Sequence, residues 1–317
     1  MTRVLTRGDL LSVLDVGSCV EALREGFRHD DRLASPGSRI RGDLPFPGTA
    51  TVLVPGLLPG VEAYTVKVNA KFPGARPALR GVICLHRGSD GELLALLDSA
   101  TVTAWRTGLA AALGTHVVTT ERGTGGRVVG VVGAGAQAEL MVNGLRHFGD
   151  DLQTLLVHDS VADRAADFAA RHGGRVVGSA SEVAEASDTV LLATWSRRPL
   201  LGLAETRPGQ HFTTVGVDEP GKQELAADLL AASFLVVDDH RLAATAGVLA
   251  GSDGSTRITA DASLGELLRG GRSTGAARSG TTVYAPVGLP WQDLAIAWLA
   301  YRQAEVNDVG SKVDLLA

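Results

Sequence analysis

A glycine-rich turn between an apolar stretch and an amphipathic stretch offers the clearest chemistry in the sequence. The segment 127–138 reads RVVGVVGAGAQA and runs into AELMVNGLRHF, which predicts a strand, a tight turn and a helix. Gly133 would let the chain turn sharply, Gly135 would let backbone approach a pyrophosphate, and Ala138 would let the helix pack closely. Free N–H groups at the helix start would face the phosphates. The G-x-G-x-x-A spacing indicates a dinucleotide-binding turn, although an ordinary strand-to-helix turn shares it.

An acidic residue after the next apolar strand indicates how an adenosine ribose could be bound. The strand 155–158 ends at Asp159, whose carboxylate could accept hydrogen bonds from the ribose hydroxyls. It would also repel a 2′-phosphate, which favours NAD over NADP, whereas the nearby Arg164 would suit NADP. A surface aspartate at the end of a strand is the simpler alternative.

Two further charged residues occupy places where they could take part in a reaction. Lys67 interrupts the apolar strand around Val66 and Val68, where an inward-facing lysine is costly unless it is paired. Strand alternation could instead point it to solvent. Asp218 follows the predicted strand 212–217, where a carboxylate could exchange a proton with a substrate amine or water. It could alternatively cap the helix that begins near residue 222.

The composition favours a small-molecule partner. The chain has 317 residues, 45% of them hydrophobic and 21% charged, which suits a globular protein of roughly two domains. With a formal net charge of −5 and scattered Lys and Arg, the chain shows no basic footprint for nucleic acid or membrane. Cys19 and Cys84 lie far apart and the histidines form no ligand pattern, so neither a disulfide nor a metal site is expected. The absence of a leader-like or membrane-spanning run predicts a cytoplasmic protein.

The first part of the chain predicts a mostly antiparallel sheet with helices. An amphipathic helix is expected over 15–29, with Ser18 to Glu21 as a capping box. Short β-like runs fill 39–98, and the turn at 88–91 suggests a hairpin. A long helix with Thr103 as its cap should follow over 101–118.

The second part predicts a parallel sheet. After the glycine-rich segment 122–126, strands and helices alternate as in a doubly wound, Rossmann-type sheet with helices on both faces. A helix is expected over 222–232, and a helix over 291–305 closes the fold. We therefore expect an α/β substrate-binding and dimerisation domain at 1–120 with 290–317, and a dinucleotide-binding domain at 121–289.

Four segments in this order resemble the ornithine cyclodeaminase and mu-crystallin family. They are RGDLPFPG, YTVKVNAKFPG, LLALLDSATVTAWRTG with the later GAGAQA, and VGVDEPGKQEL, with a weaker match at VYAPVGLPWQDLAIA. The family includes archaeal-type alanine dehydrogenases and ketimine reductases. The resemblance implies a homodimer whose subunits each combine a substrate domain with a nucleotide domain, with the active site between them.

The resemblance also implies roles for individual residues. Arg41 and Arg106 match arginines that look like clamps for a substrate α-carboxylate, with Arg39 as the rival of Arg41, and a guanidinium suits that task because it can bind a carboxylate bidentately. Lys67 matches the family's active-site lysine, ahead of Lys71, and Asp218 matches its acidic residue. The implied cofactor-binding residues are Gly133, Gly135, Ala136, Gln137, Asp159, Thr194, Arg106 and Thr107.

Two departures from the family pattern bear on the reaction. Cyclodeaminases carry an acidic residue where this chain has Val52, and a valine cannot hold the distal ammonium of ornithine or lysine. Ala75 replaces the usual asparagine after Pro-Gly, and R-T-A-A becomes Arg106-Thr107-Gly108-Leu109. The carboxylate and dinucleotide residues are retained.

The sequence thus predicts an NAD(H)-dependent oxidoreductase that transfers a hydride to or from the α-carbon of an amino or imino acid. This is the reaction of an imino-acid (ketimine) reductase or an amino-acid dehydrogenase. The alternatives are an ornithine or lysine cyclodeaminase that uses NAD catalytically, and a protein that binds a dinucleotide without turnover.

Overall fold

The computed structural model describes most of the chain as two compact units. The described residues are 1–29, 39–44, 49–72, 75–122, 128–149, 152–219, 221–250, 258–271, 273, 280–315 and 317. Within them, the side chains of 39–41, 43, 49–54, 121 and 122 are not described. The first unit comprises Met1–Arg106 with Leu289–Ala317, and the second comprises Thr107–Gly288.

A mixed sheet forms the centre of the first unit. Its strands are β1 (Thr2–Leu5), β2 (Arg39–Asp43), β3 (Thr49–Gly56), β4 (Ala63–Lys71), β5 (Leu79–Arg87), β6 (Leu93–Asp98) and β17 (Ser311–Val313). They follow the order β17-β1-β6-β5-β4-β3-β2, and only the β1–β6 pair among them is parallel. The mostly antiparallel sheet is therefore as predicted, including the hairpin of β5 and β6.

The start of the chain differs from the prediction of a single helix. Strand β1 and helix α1 (Arg7–Val13) precede helix α2 (Val16–Arg28). The cap of α2 is Asp15, whose Oδ1 accepts a hydrogen bond from Ser18 N at 2.8 Å, so Ser18 lies inside the helix. Helix α10 (Pro290–Val306) packs against α2, where a Cβ on Gly26 would lie 2.2 Å from the Trp291 ring.

Helix α3 (Ser99–Arg122) begins earlier than predicted. Asp98 caps it, because its Oδ2 accepts hydrogen bonds from Thr101 N at 2.9 Å and Thr101 Oγ1 at 2.6 Å. Thr103 therefore lies inside the helix rather than at its cap. Ala111 and Ala112 share a buried cluster with Val129 and Met141, so the second unit begins within α3 rather than in the glycine-rich segment.

The second unit contains the predicted Rossmann-type sheet. Its parallel strands are β7 (Val128–Val132), β8 (Thr154–His158), β9 (Arg175–Val176), β10 (Thr189–Leu192), β12 (His211–Thr214), β14 (Phe234–Val237), β15 (Ala262–Ser263) and β16 (Thr282–Ala285). Their order is β15-β14-β16-β12-β10-β7-β8-β9. The order reverses beside β7, as a doubly wound sheet requires.

Helices cover both faces of this sheet. They are α4 (Ala136–His147), α5 (Ala162–His172), α6 (Ala180–Ala186), α7 (Ala227–Ala232), α8 (His240–Ala246) and α9 (Leu264–Leu268), with a 3-10 turn at Leu203–Glu205. Leu191 packs in the cluster that holds Met141 and Phe168, whereas its neighbour Val190 packs with Leu229 on the other face. The alternation along β10 thus fills two separate layers.

One predicted helix is partly a strand. Residues Gln223–Leu225 form β13, which pairs in parallel with β11 (Arg197–Leu201), and only Ala227–Ala232 is helical. The helix predicted over 222–232 was therefore wrong in its first turn. The reason is tertiary, since the side chain of Glu224 at the centre of β13 is fully buried.

Candidate active site

Lys67 lies on the buried face of β4. Thr65, Lys67 and Asn69 are buried, whereas Val68 on the other face is 43% exposed. The ammonium nitrogen of Lys67 lies 2.5 Å from Asp293 Oδ2 and 3.4 Å from Thr103 Oγ1. The alternation along the strand therefore points this lysine inward, where a carboxylate pairs with it.

Asp293 joins Lys67 to Arg106. It lies in the first turn of α10, and its Oδ1 is 3.4 Å from Arg106 Nε. Arg106 also donates a hydrogen bond to Gln292 Oε1 at 3.5 Å. Lys67, Arg106, Gln292 and Asp293 are all at least nine-tenths buried. Strand β4, helix α3 and helix α10 thus bring together residues that are far apart in the sequence.

This cluster contains hydrogen-bond donors and charges that a ligand could satisfy. Arg106 Nε and Gln292 Nε2 are buried N–H donors without a hydrogen-bond partner among the described residues. Two cationic side chains, Lys67 and Arg106, face the single carboxylate of Asp293. Because buried donors and charges are costly unless they are matched, the arrangement favours binding of an anionic group such as a carboxylate.

The predicted Arg41 clamp lies outside the described side chains. The backbone of Arg41 pairs with Thr51 in the β2–β3 ladder, and that of Arg39 pairs with Leu53. Arg39 and Arg41 therefore stay alternative predictions, and the side chain of Val52 also lies outside the description.

The glycine-rich turn has the geometry that a pyrophosphate needs. Gly133 has φ +93°, and a Cβ there would lie 2.5 Å from the carbonyl oxygen of Ala193. Gly135 has open space at its Cβ position and precedes α4 without any side-chain cap. Ala136 and Gln137 follow in the first turn of α4, and Ala136 is exposed. Backbone N–H groups at this helix start can therefore reach a phosphate group.

The first half of α3 packs against the start of α4. A Cβ on Gly108 would lie 2.4 Å from Leu140 Cβ and 2.6 Å from the carbonyl oxygen of Gln137. The departure from R-T-A-A at Gly108 therefore has a packing reason. Thr107 Oγ1 is buried without a hydrogen-bond partner among the described residues.

Asp159 holds the turn rather than standing free. Its Oδ2 accepts from Ala134 N at 2.8 Å, and its Oδ1 accepts from Val161 N and Arg164 Nη2, each at 2.8 Å. Burial acts to raise the pKa of Asp159, but these hydrogen bonds and the Arg164 charge outweigh it and lower the pKa below 3.8. The carboxylate is thus ionised, and protein groups already use part of its hydrogen-bonding capacity.

Thr194 also makes contacts within the protein. Its N–H and hydroxyl both donate to Glu224 Oε1, at 2.5 and 2.6 Å. Glu224 Oε2 accepts from Thr214 Oγ1 at 2.6 Å and Gly216 N at 2.8 Å. Burial raises the pKa of Glu224 above its ordinary value, although the hydrogen bonds oppose that rise.

Asp218 lies in an ion-pair cluster just beyond β12. Its Oδ1 is 2.7 Å from the ammonium of Lys222, which is 3.6 Å from Glu219 and lies 5.4 Å from the Trp195 ring centroid. The Asp218 side chain is 31% exposed, whereas that of Lys222 is 6% exposed. Asp218 is therefore accessible to a ligand, and an ion pair rather than a helix cap holds it.

Comparison with known proteins identifies the family of this chain. The model of the ornithine cyclodeaminase/mu-crystallin family matches residues 8–308. The chain belongs to this family. The family resemblance predicted from the sequence is thereby confirmed.

Curated relatives of the chain include enzymes of amino and imino acids. The alanine dehydrogenase of Archaeoglobus fulgidus is 26% identical over 326 residues, which cover 98% of both chains. The ketimine reductase mu-crystallin of Mus musculus is 27% identical over 262 residues, covering 78% of this chain and 79% of its own. A Δ1-pyrroline-2-carboxylate reductase of Bacillus cereus is 24% identical over 298 residues, covering 87% of this chain and 88% of its own.

Solved structures in the same family share the fold. The Δ1-pyrroline-2-carboxylate reductase of Thermococcus litoralis, in complex with NADH and L-proline, has a TM-score of 0.89 and 25% identity, covering 98% of this chain and all of that one. An archaeal alanine dehydrogenase dimer with bound NAD has a TM-score of 0.87 at 24% identity, covering 99% of each chain. The Rossmann-type sheet and a second α/β domain are thus confirmed.

Sequence reasoning missed several polar residues of the site. Asp293 and Gln292 lie in VYAPVGLPWQDLAIA, and Lys222 and Glu224 lie in VGVDEPGKQEL, so each belonged to a matched segment. Asp293 could have been noted as an acidic residue inside an apolar helix. No local pattern marks Thr103 as a partner of Lys67.

Proposed function

We propose that this protein is an NAD(H)-dependent oxidoreductase that transfers a hydride to or from the α-carbon of an amino or imino acid. It acts as an imino-acid (ketimine) reductase or an amino-acid dehydrogenase. The observation that carries this proposal is the buried Lys67–Asp293–Arg106 cluster, in a chain that also holds a dinucleotide-binding turn.

The residues present fit a dinucleotide. The uncapped start of α4 would hold the pyrophosphate through backbone N–H groups, and the open Cβ position of Gly135 gives that group room. Asp159, which lies beside the turn, would contact the adenosine ribose. When bound, the nicotinamide supplies or accepts the hydride.

Arg106 and Lys67 hold the substrate in this proposal. The Arg106 guanidinium would bind the α-carboxylate, with Arg41 or Arg39 as a second clamp. The Lys67 ammonium would polarise the imine or carbonyl group. Asp293 fixes the direction of both cationic side chains, and such fixed geometry contributes much of the rate in hydride transfer.

Asp218 moves the proton. Its partly exposed carboxylate would exchange a proton with the substrate nitrogen or with a water molecule. Lys222 holds the carboxylate in place through an ion pair at 2.7 Å.

The experiment that tests the function is a substrate survey. Purified protein is mixed with NADH and either cyclic α-imino acids or α-keto acids with ammonia or amines, and absorbance at the NADH band is followed. Reduction of at least one carboxylate-bearing imine, with the amino acid as product, supports the proposal. Release of ammonia from ornithine or lysine without net change in NADH would instead show a cyclodeaminase. Tight binding of NADH without turnover of any compound would show a binding protein.

We further propose that the protein is a homodimer formed through the outer face of the first sheet. Val66, Val68, Val82, Cys84 and Leu96 lie beside one another on that face, opposite Lys67, and each is at least partly exposed. An exposed apolar face of this kind is typical of an interface. Sedimentation of the wild-type protein should give a dimer and Val68→Asp a monomer, whereas a monomeric wild type would contradict this assignment.

The proposed compartment is the cytoplasm, and the proposed partner is a small carboxylate-bearing molecule rather than nucleic acid or membrane. Both cysteines, Cys19 and Cys84, are free thiols, as is usual in a reducing compartment. None of the described helices is long and apolar enough to cross a membrane. Cell fractionation with an antibody to the native protein tests this location.

A further inference from the structure

Glu224 connects the ends of two neighbouring parallel strands. Strands β10 and β12 pair in register from Thr189 with His211 to Leu192 with Thr214. Thr194 follows the first strand, and Thr214 and Gly216 lie at the end of the second. Each carboxylate oxygen of Glu224 accepts one backbone N–H and one hydroxyl, so the two oxygens together bind both segments.

The fit around this carboxylate is close. Glu224 has no exposed surface, and a Cβ on Gly216 would lie 2.5 Å from Glu224 Oε1 and 2.4 Å from the carbonyl oxygen of Thr194. The same segment supports the glycine-rich turn, because a Cβ on Gly133 would lie 2.9 Å from Thr194 Cγ2. Glu224 thus links both strand ends, and one of them contacts Gly133 at the start of the glycine-rich turn.

Two backbone N–H groups fix how the strand ends are oriented toward the Glu224 carboxylate. Thr194 N and Gly216 N cannot rotate away as hydroxyls can, and each faces a different oxygen of Glu224. Loss of this acceptor would leave buried N–H groups unpaired and would let the two segments move apart. Ligands of open parallel sheets bind beyond these strand ends.

We propose that Glu224 is a positioning residue for hydride transfer. It acts through Thr194 and Gly216, which it holds where the nicotinamide end of the cofactor must be placed. This inference rests on the proposed function. The adenosine end depends instead on the turn at Gly135 and on Asp159, whose carboxylate accepts hydrogen bonds from Ala134, Val161 and Arg164 rather than contacting Glu224.

Glu224→Gln gives the first test, since glutamine keeps the size but replaces one accepting oxygen by a donor. We expect ADP-ribose, which lacks nicotinamide, to bind as in the wild type, whereas NADH should bind at least several-fold more weakly. We expect kcat to fall about 100-fold, the scale on which a misplaced reacting group slows reactions. With NADH deuterated at the transferred C4 position, the isotope effect on kcat should rise because hydride transfer becomes slower than the other steps.

Two further variants keep the test decisive. Thr214→Val removes one hydroxyl donor to Glu224 at nearly constant volume, so it should change the same quantities in the same direction by roughly tenfold or less. Gln210→Met provides the control, because Gln210 is also fully buried and its side chain hydrogen-bonds to Arg207 N, Ala184 O and Ser187 O at the opposite end of β12. It should lower the unfolding temperature while leaving kcat and the isotope effect unchanged.

The outcomes distinguish the positioning role of Glu224 from the proposed oxidoreductase function. If Glu224→Gln and Thr214→Val keep wild-type kcat, isotope effect and NADH affinity, the positioning role is wrong. If both lose affinity for ADP-ribose and NADH equally, Glu224 is only a structural residue of the nucleotide unit. If the wild-type protein reduces no imino acid and oxidises no amino acid, the proposed function fails whatever these variants do.

Discussion

The ammonium nitrogen of Lys67 lies 2.5 Å from Asp293 Oδ2, although 226 residues separate them in the sequence. The pair is buried, and Arg106 approaches the other carboxylate oxygen of Asp293. Because the aspartate comes from α10 near the end of the chain, the cluster forms only when the first unit is folded. It couples the stability of that unit to the proposed substrate-binding residues.

Replacing Asp293 should therefore weaken both the fold and the reaction. Asp293→Asn leaves two buried cationic side chains without their carboxylate, and breaking a buried pair costs about 3–5 kcal/mol. We expect the free energy of unfolding to fall by that amount in denaturant titrations. The control is Glu25→Gln, which breaks an exposed ion pair with Arg28 and should lower the free energy of unfolding far less. Equal effects of the two variants would contradict the role of Asp293.

Arg106→Lys tests the carboxylate clamp. Lysine retains the charge but loses the planar pair of N–H donors, so kcat/KM for the imino acid should fall roughly 10- to 100-fold, mainly through KM. NADH binding should change little. Arg302→Lys, on the exposed part of α10 over Trp298, should leave both constants unchanged. A rise in the NADH dissociation constant with unchanged substrate KM would assign Arg106 to the cofactor instead.

Gly108→Ala tests the contact between α3 and the start of α4. The new methyl group would overlap Leu140 Cβ and the carbonyl oxygen of Gln137, which can yield only if the helices separate. We expect a loss of about 1–3 kcal/mol in unfolding free energy together with weaker NADH binding. Gly8→Ala in α1, where only Thr6 Oγ1 lies within 4 Å, should be neutral or slightly stabilising. Unchanged NADH affinity in Gly108→Ala would show that this contact does not determine the conformation of the glycine-rich turn.

Asp159 should make stability depend on pH in the acid range. Its pKa is lowered in the folded protein, so its contribution is fully present above 3.8 and is lost as the pH falls through the lower, folded value. Asp159→Asn should be destabilised by about 1–3 kcal/mol at neutral pH, because Ala134 N and Val161 N lose their charged acceptor. The difference from the wild type should shrink below pH 4. A difference in unfolding free energy between the variant and the wild type that stays constant down to pH 2 would contradict this assignment.

The sequence predicted those parts of the molecule that depend on local pattern. The alternating strands and helices after Val128, the glycine-rich turn at Gly133 and the inward lysine of β4 could each be inferred from neighbouring residues. Contacts made only by the tertiary fold could not. The helix predicted at 222 failed because burial of Glu224 against Thr194 and Thr214 favours a short strand there.

The same limit applies to the site residues. Asp293 lies in an apolar helix whose local sequence gives no sign that Lys67 is its partner. Asp159 was expected to contact a ribose and does lie beside the turn, but its hydrogen bonds to Ala134 and Arg164 are made only in the folded chain and follow from no local pattern. A motif therefore identified which segments matter, whereas only the fold shows which side chains pair.

The proposed reaction is tested most directly by following the hydride itself. NADH carrying deuterium at C4, prepared separately on each face, is supplied with the imino acid that the substrate survey identifies, and the amino-acid product is examined by NMR. The proposed hydride transfer predicts that one of the two preparations places deuterium on the α-carbon, with one deuterium per NADH oxidised. A product without deuterium at the α-carbon from either preparation would contradict it.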